Sequence, residues 1–91
     1  MEDQKGTHPI KEFRARGGIK AAIWRNEETL NERTVIRHSV RFQRSYCDQQ
    51  GVWKVTEYFR PQDLPRLVLV AQKAFEYVTL TESDEPGTPD V

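Results

Sequence analysis

Arg14, Arg16, Lys20 and Trp24 occupy even positions in a run, residues 13–26, that alternates like a β-strand. Its odd positions read Phe13, Ala15, Gly17, Ile19, Ala21 and Ile23. A strand turns alternate residues to opposite faces, so three cations and an indole share one row and the apolar residues share the other. Such a row suits a single-stranded polyanion: the cations meet phosphates and the flat ring stacks on a base. The plainer alternative is a solvated sheet face that happens to be basic. Trp24 has two readings as well, a stacking platform or a core residue.

The other reactive side chains do not assemble into a catalytic group. His38 and Ser39 are adjacent in a second alternating run, so on a strand they face opposite ways and cannot act as base and nucleophile for one another. His38 falls with Ile36, Val40 and Phe42 and reads as a histidine at the core edge. Ser39 falls with Arg37, Arg41 and Gln43. Glu27, Glu28 and Glu32 sit in a polar stretch and read as solvated. Two histidines and one cysteine, Cys47, in no ligand spacing imply no metal site. Gly17-Gly18 does not match a phosphate-binding loop. The expectation is a protein that is not an enzyme and carries no cofactor.

The elements that position these residues follow from periodicity and turn chemistry. Gly17-Gly18 interrupts the first run and predicts two strands or one sharply bent strand. Residues 26–33 are polar and predict a loop. Residues 34–46 alternate again. Asp48, Gln49, Gln50 and Gly51 predict a hairpin turn, with Gly51 at positive φ. Residues 52–59 predict a strand with Val55 and Phe59 inward and Lys54 and Tyr58 outward. Trp53 reads equally as a stacking platform or a plug at the sheet end. Leu64, Leu67, Val68, Ala71, Ala74, Phe75 and Val78 then recur at helical spacing, with Pro61 or Pro65 in the first turn and Asp63 placed to cap it. The chain reads as α+β, a curved antiparallel four-stranded sheet followed by one C-terminal helix. That helix would cover one face and leave Arg14, Arg16, Lys20, Trp24, Arg37 and Arg41 open.

Ninety-one residues make one small domain, here residues 10–80. Residues 1–9 predict a flexible arm. Residues 81–91, with four acids, two prolines and a glycine, predict a disordered acidic tail. The formal charge of zero hides a net of +5 over residues 10–60 and −4 over residues 80–91. No stretch has the length or pattern of a membrane span or a signal peptide, which predicts a cytoplasmic protein. A short chain with Leu69, Val70, Tyr77 and Leu80 off the main helical stripe predicts a homodimer docked through Leu69, Val70 and Tyr77.

Three stretches carry a family resemblance. The first is the basic strand Lys11-Glu12-Phe13-Arg14-Ala15-Arg16-Gly17-Gly18-Ile19-Lys20-Ala21-Ala22-Ile23-Trp24. The second is the hairpin Tyr46-Cys47-Asp48-Gln49-Gln50-Gly51-Val52-Trp53, and the third is Tyr58-Phe59-Arg60-Pro61-Gln62-Asp63-Leu64, which runs into the helix. In order and character, residues 10–80 resemble the single-stranded-DNA-binding transcriptional regulator fold, that of the positive-cofactor type of transcriptional coactivator and its Whirly relatives. The resemblance implies a dimer that binds single-stranded nucleic acid, DNA in the first instance, in transcription regulation or DNA maintenance. It implies contacts from Arg14, Arg16, Lys20, Trp24, Arg37, Arg41 and Lys54, and no catalytic residue. The competing expectation is a small dimeric protein-interaction module with no nucleic-acid role.

Overall fold

A computed structural model describes residues 8–80; the N-terminal arm over residues 1–7 and the acidic tail lie outside the described residues. Four strands, β1 (Lys11–Ala15), β2 (Ile19–Leu30), β3 (Arg33–Cys47) and β4 (Trp53–Thr56), form one antiparallel sheet in the order β1-β2-β3-β4. A single turn of 3-10 helix, Pro61–Asp63, leads into the one α-helix, α1 (Leu64–Thr79). The α+β class and the strand-strand-strand-strand-helix order are those expected from the sequence.

The glycine pair divides the first run in two. Gly17 and Gly18 have φ of 89° and 80°. Gly18 also needs its missing side chain, because a Cβ there would meet the Ser45 carbonyl oxygen at 2.3 Å. The Gly18 carbonyl accepts from the Ser45 amide at 2.9 Å, which ties this turn to β3. Ala15 pairs with Ile19, so three residues are enclosed and the odd positions stay on one face on both sides of the turn.

The polar stretch over residues 26–33 is not a loop. β2 continues to Leu30, β3 begins at Arg33, and Asn31 and Glu32 alone make the turn, with φ of 51° and 65°. Positive φ at both central residues matches the right-handed twist of the flanking strands. Polarity misleads here because β1 pairs with β2 only as far as Ile23 and β4 pairs with β3 only from Arg44. Beyond those points the ribbon is two strands wide and most of its side chains, those near Asn26 apart, meet water, so polar residues suit it as well as they suit a loop. The ribbon gives the molecule extents of 53 × 34 × 19 Å.

The turn after β3 forms as expected. The Asp48 carboxylate accepts from the amides of Gln50 and Val52, both at 2.9 Å, and Gly51 has φ of 82°. The Val52 amide is the main reason that the Asp48 carboxyl lies below its ordinary value. β4 ends at Thr56, earlier than expected, and its facing is the reverse of the expected one. Ser45 pairs with Val55, which puts Val55 on the face away from the helix. Phe59 does pack on the core.

The core lies between α1 and the first half of β2. Ile19, Ala21 and Ile23 meet Val70 and Ala74, with Phe13, Ala15, Phe42, Phe59 and Leu67 around them. Tyr77 closes the β1 side, its ring 6.2 Å from that of Phe13 in an edge-on contact. The inward stripe is therefore Leu67, Val70, Ala74 and Tyr77. Leu64, Val68 and Phe75, expected inward, are exposed, Val68 and Phe75 at 66% and 63%. About half of the helix circumference is apolar, so periodicity defines a sector but not which edge of it meets the sheet.

Asp63 fastens the helix start to the sheet. It is buried, accepts from the Arg60 amide at 2.8 Å and from the Arg60 guanidinium at 3.0 Å, and lies 3.3 Å from Arg44 Nε of β3. It makes no side-chain cap to α1. The Arg60 guanidinium, then the Arg60 amide, hold its carboxyl down from 3.8 to about 2.

Candidate nucleic-acid interface

The helix covers one face of the sheet, and the register fixes what stands on the other. Arg14 pairs with Lys20 and Lys20 with Gln43 in one cross-strand row. The next row is Glu12, Ala22 and Arg41. Trp24 then stands opposite Ser39, and Asn26 opposite Arg37. Paired residues in a sheet share a face, so Arg14, Lys20, Arg41, Arg37 and Trp24 form one continuous surface. Trp24 sits half-buried among the cations.

Two of the expected contacts stand elsewhere. Arg16 is exposed in the turn between β1 and β2, at the end of the face rather than on it. Lys54 pairs with Tyr46, which shares the helix side with Phe42 and Arg44, so Lys54 is on the opposite face. It lies 3.3 Å from Asp48. The five-residue turn after Cys47 sets that parity, and composition did not reveal it. By the same register Trp53 stands opposite Cys47 on the open face, where it is 70% exposed. Trp53 and Val55 thus extend the surface along β4. His38 is on the helix side but beyond the reach of α1, and is exposed rather than at the core edge.

Carboxylates share the face with the cations. Glu12 lies 2.8 Å from Arg14 and 3.7 Å from Lys20. Glu28 lies 3.0 Å from Arg37, and Glu57 lies 3.7 Å from Arg41. The same alternation carried back to Glu12 and forward to Glu28 would have found two of these three; Glu57 lies past the end of β4, where no parity rule applies. Exposed ion pairs contribute only about 0–1 kcal/mol each, so a phosphate can replace a carboxylate beside an arginine at small cost.

One polar pair on this face lacks partners. Trp24 Nε1 and Asn26 Oδ1 are closed to solvent and make no hydrogen bond. Asn26 is 7% exposed, and its Nδ2 donates to Ser39 Oγ over a long 3.4 Å. Asn26 ends the alternating run of residues 13–26 and opens the polar stretch expected to be a loop; alternation gives its face, but its burial comes only from tertiary packing.

The expected docking residues of the helix divide three ways. Val70 is in the core of its own chain at 2% exposure, and Tyr77 packs on Phe13; only Leu69 is directed outward. The exposed apolar flank is instead Leu64, Val68 and Phe75. A groove of about 430 Å³ along β3 is lined by Val40, Arg41, Phe42, Glu57 and Phe59. Among the described residues no group of acids, histidines and cysteines could hold a metal ion, and no helix is long and apolar enough to cross a membrane. Comparison with known proteins returned no match: no protein-family model, no curated protein and no solved structure is similar to the chain.

Proposed function

We propose that this chain is a homodimeric single-stranded nucleic-acid-binding protein, acting on single-stranded DNA in the first instance, in transcription regulation or DNA maintenance. One observation carries the reading. Arg14, Lys20, Arg41 and Arg37 stand in adjoining registers around Trp24 on the face that the helix leaves uncovered. Cations spaced along a groove with an aromatic platform between them are what sequence-tolerant binding of a single strand uses.

If each of the four cations neutralises one phosphate, log K falls with log salt at a slope of about −2.8. Raising salt from about 50 to 200 mM then weakens binding about fifty-fold. Replacing any one of the four by Ala lowers the slope by about 0.7, whereas Trp24→Ala costs about 1–3 kcal/mol with the slope unchanged. A folded protein whose affinity for oligo(dT) ignores both changes would end this reading.

Dimerisation belongs to the same proposal, through a different surface from the expected one. The Leu64-Val68-Phe75 flank of α1 turns toward β3, since Tyr77 on the opposite flank meets β1. Two copies related by a twofold axis bury these apolar flanks against each other. Sedimentation equilibrium at micromolar concentration should give twice the chain mass. Val68→Glu should give a folded monomer, because it places an unpaired charge in the contact.

The pairing of Glu12, Glu28 and Glu57 with the face cations favours a second reading, a dimeric protein-interaction module whose face meets a partner of mixed charge. Oligo(dT) against heparin separates the two. A stacking groove prefers the oligonucleotide, and a merely charged face prefers the denser polyanion.

A further inference from the structure

The geometry points to a base-reading notch on the open face, formed by Trp24, Asn26 and Ser39, that takes the edge of thymine or uracil. It rests on the nucleic-acid reading and adds a preference to binding that phosphate contacts and stacking leave sequence-tolerant. Trp24 Nε1 is a donor and Asn26 Oδ1 an acceptor, and both are shut off from water without a partner. A buried polar group left unpaired keeps its full desolvation penalty. Two such groups on one face of one strand, two residues apart, are a standing incentive to bind whatever supplies both partners.

The inventory of the notch selects the ligand. The indole offers only a donor, and the Asn26 amide offers an acceptor and two donor hydrogens. One of those hydrogens is engaged, at 3.4 Å, by Ser39 Oγ. What remains is donor, acceptor, donor. The pyrimidine edge of thymine or uracil is the complement: carbonyl, N3–H, carbonyl. Cytosine presents a donor and two acceptors, guanine an acceptor and two donors, and adenine a donor and one acceptor, so each leaves part of the set unpaired. Arg37, paired with Asn26, and Arg41, one row beyond Ser39, flank the notch and can hold the phosphates on either side. The notch is shut by side chains of the face itself, since α1 packs on the other side. Entry of a base requires the half-buried Trp24 ring to move.

The test is a titration of the full chain with oligonucleotides of about twelve nucleotides, long enough to fill one site, followed by Trp fluorescence at fixed salt. Oligo(dT) should bind about tenfold or more tighter than oligo(dC) and oligo(dA). Asn26→Ala should remove that preference and leave the salt slope at its wild-type value. A second arm needs no variant: oligo(dT) methylated at N3 has lost the central donor and should bind the wild-type protein no better than oligo(dC). Equal affinity for dT, dC and dA overturns the notch while the nucleic-acid reading stands, as does full affinity for the N3-methylated strand. Failure of every oligonucleotide to bind overturns the parent reading and the notch with it.

Discussion

In the first half of β2, Ile19, Ala21 and Ile23 are sealed between the helix and two neighbouring strands. From Trp24 to Leu30 the same strand has a neighbour on one side only. The inner half is held by apolar burial, the outer half by ladder hydrogen bonds, ion pairs such as Arg37–Glu28 and Arg25–Glu27, and a two-residue turn. A lone two-stranded ribbon is marginal in water. The root of the ribbon therefore sets the stability of the domain. The tip is free to adjust to a ligand, and the proposed notch sits where the two regimes meet.

Substitutions can break that contrast. Gly18→Val at the root should be the most damaging, at about 4 kcal/mol or more, since strain at positive φ adds to the collision with the Ser45 carbonyl. Urea denaturation should show little folded protein. Ile23→Ala should cost about 3 kcal/mol through the cavity it leaves. Ile36→Ala, on the exposed outer half, should stay within about 0.5 kcal/mol. Equal losses for the two would mean that the tip is packed on something in solution, and a second copy would be the first candidate.

Smaller changes sharpen the comparison. Glu32 holds φ of 65°, a region in which glycine is unstrained. Glu32→Gly should stabilise the tip by about 1 kcal/mol, visible as slower amide exchange over Arg25–Leu30 with the root amides unchanged. Acid acts at the other end, and last. The Asp63 carboxyl is depressed to about 2 in the folded protein, so its contribution is complete above the unfolded value of 3.8 and fades as pH falls toward 2. Thermal melts of the wild type should lose stability across that window. Asp63→Asn should be less stable at neutral pH and should lack this component of the acid slope.

What could be read in advance follows from how local each determinant is. The two faces of residues 13–23, the break at Gly17-Gly18 and the turn at Asp48 were legible, because alternation and positive-φ glycines are decided within a few residues. The outer ribbon was not, since a solvated ladder and a loop both call for polar side chains. The helix face was not, since Val70 and Val68 are equally apolar and only the sheet distinguishes them. Lys54 and Val55 stand on the faces opposite to those expected, because their parity depends on register with β3, a contact across a turn rather than a property of the strand. Of the candidate site, the cations and Trp24 were visible, while the carboxylate Glu28 needed a strand drawn through a polar stretch, and the burial of Asn26 and the approach of Glu57 to Arg41 depend on tertiary packing.

The protruding ribbon has a hydrodynamic consequence. The radius of gyration is 16.7 Å, whereas a compact chain of this length would have about 12 Å. A single copy tumbles and diffuses as a much larger sphere would. On a sizing column calibrated with globular standards it elutes early, near the position of a compact dimer, and its rotational correlation time is lengthened in the same sense. Apparent size and true mass thus diverge for this shape. The proposed effect of Val68→Glu on mass is therefore read by light scattering or sedimentation equilibrium, where shape does not enter, and not by elution volume.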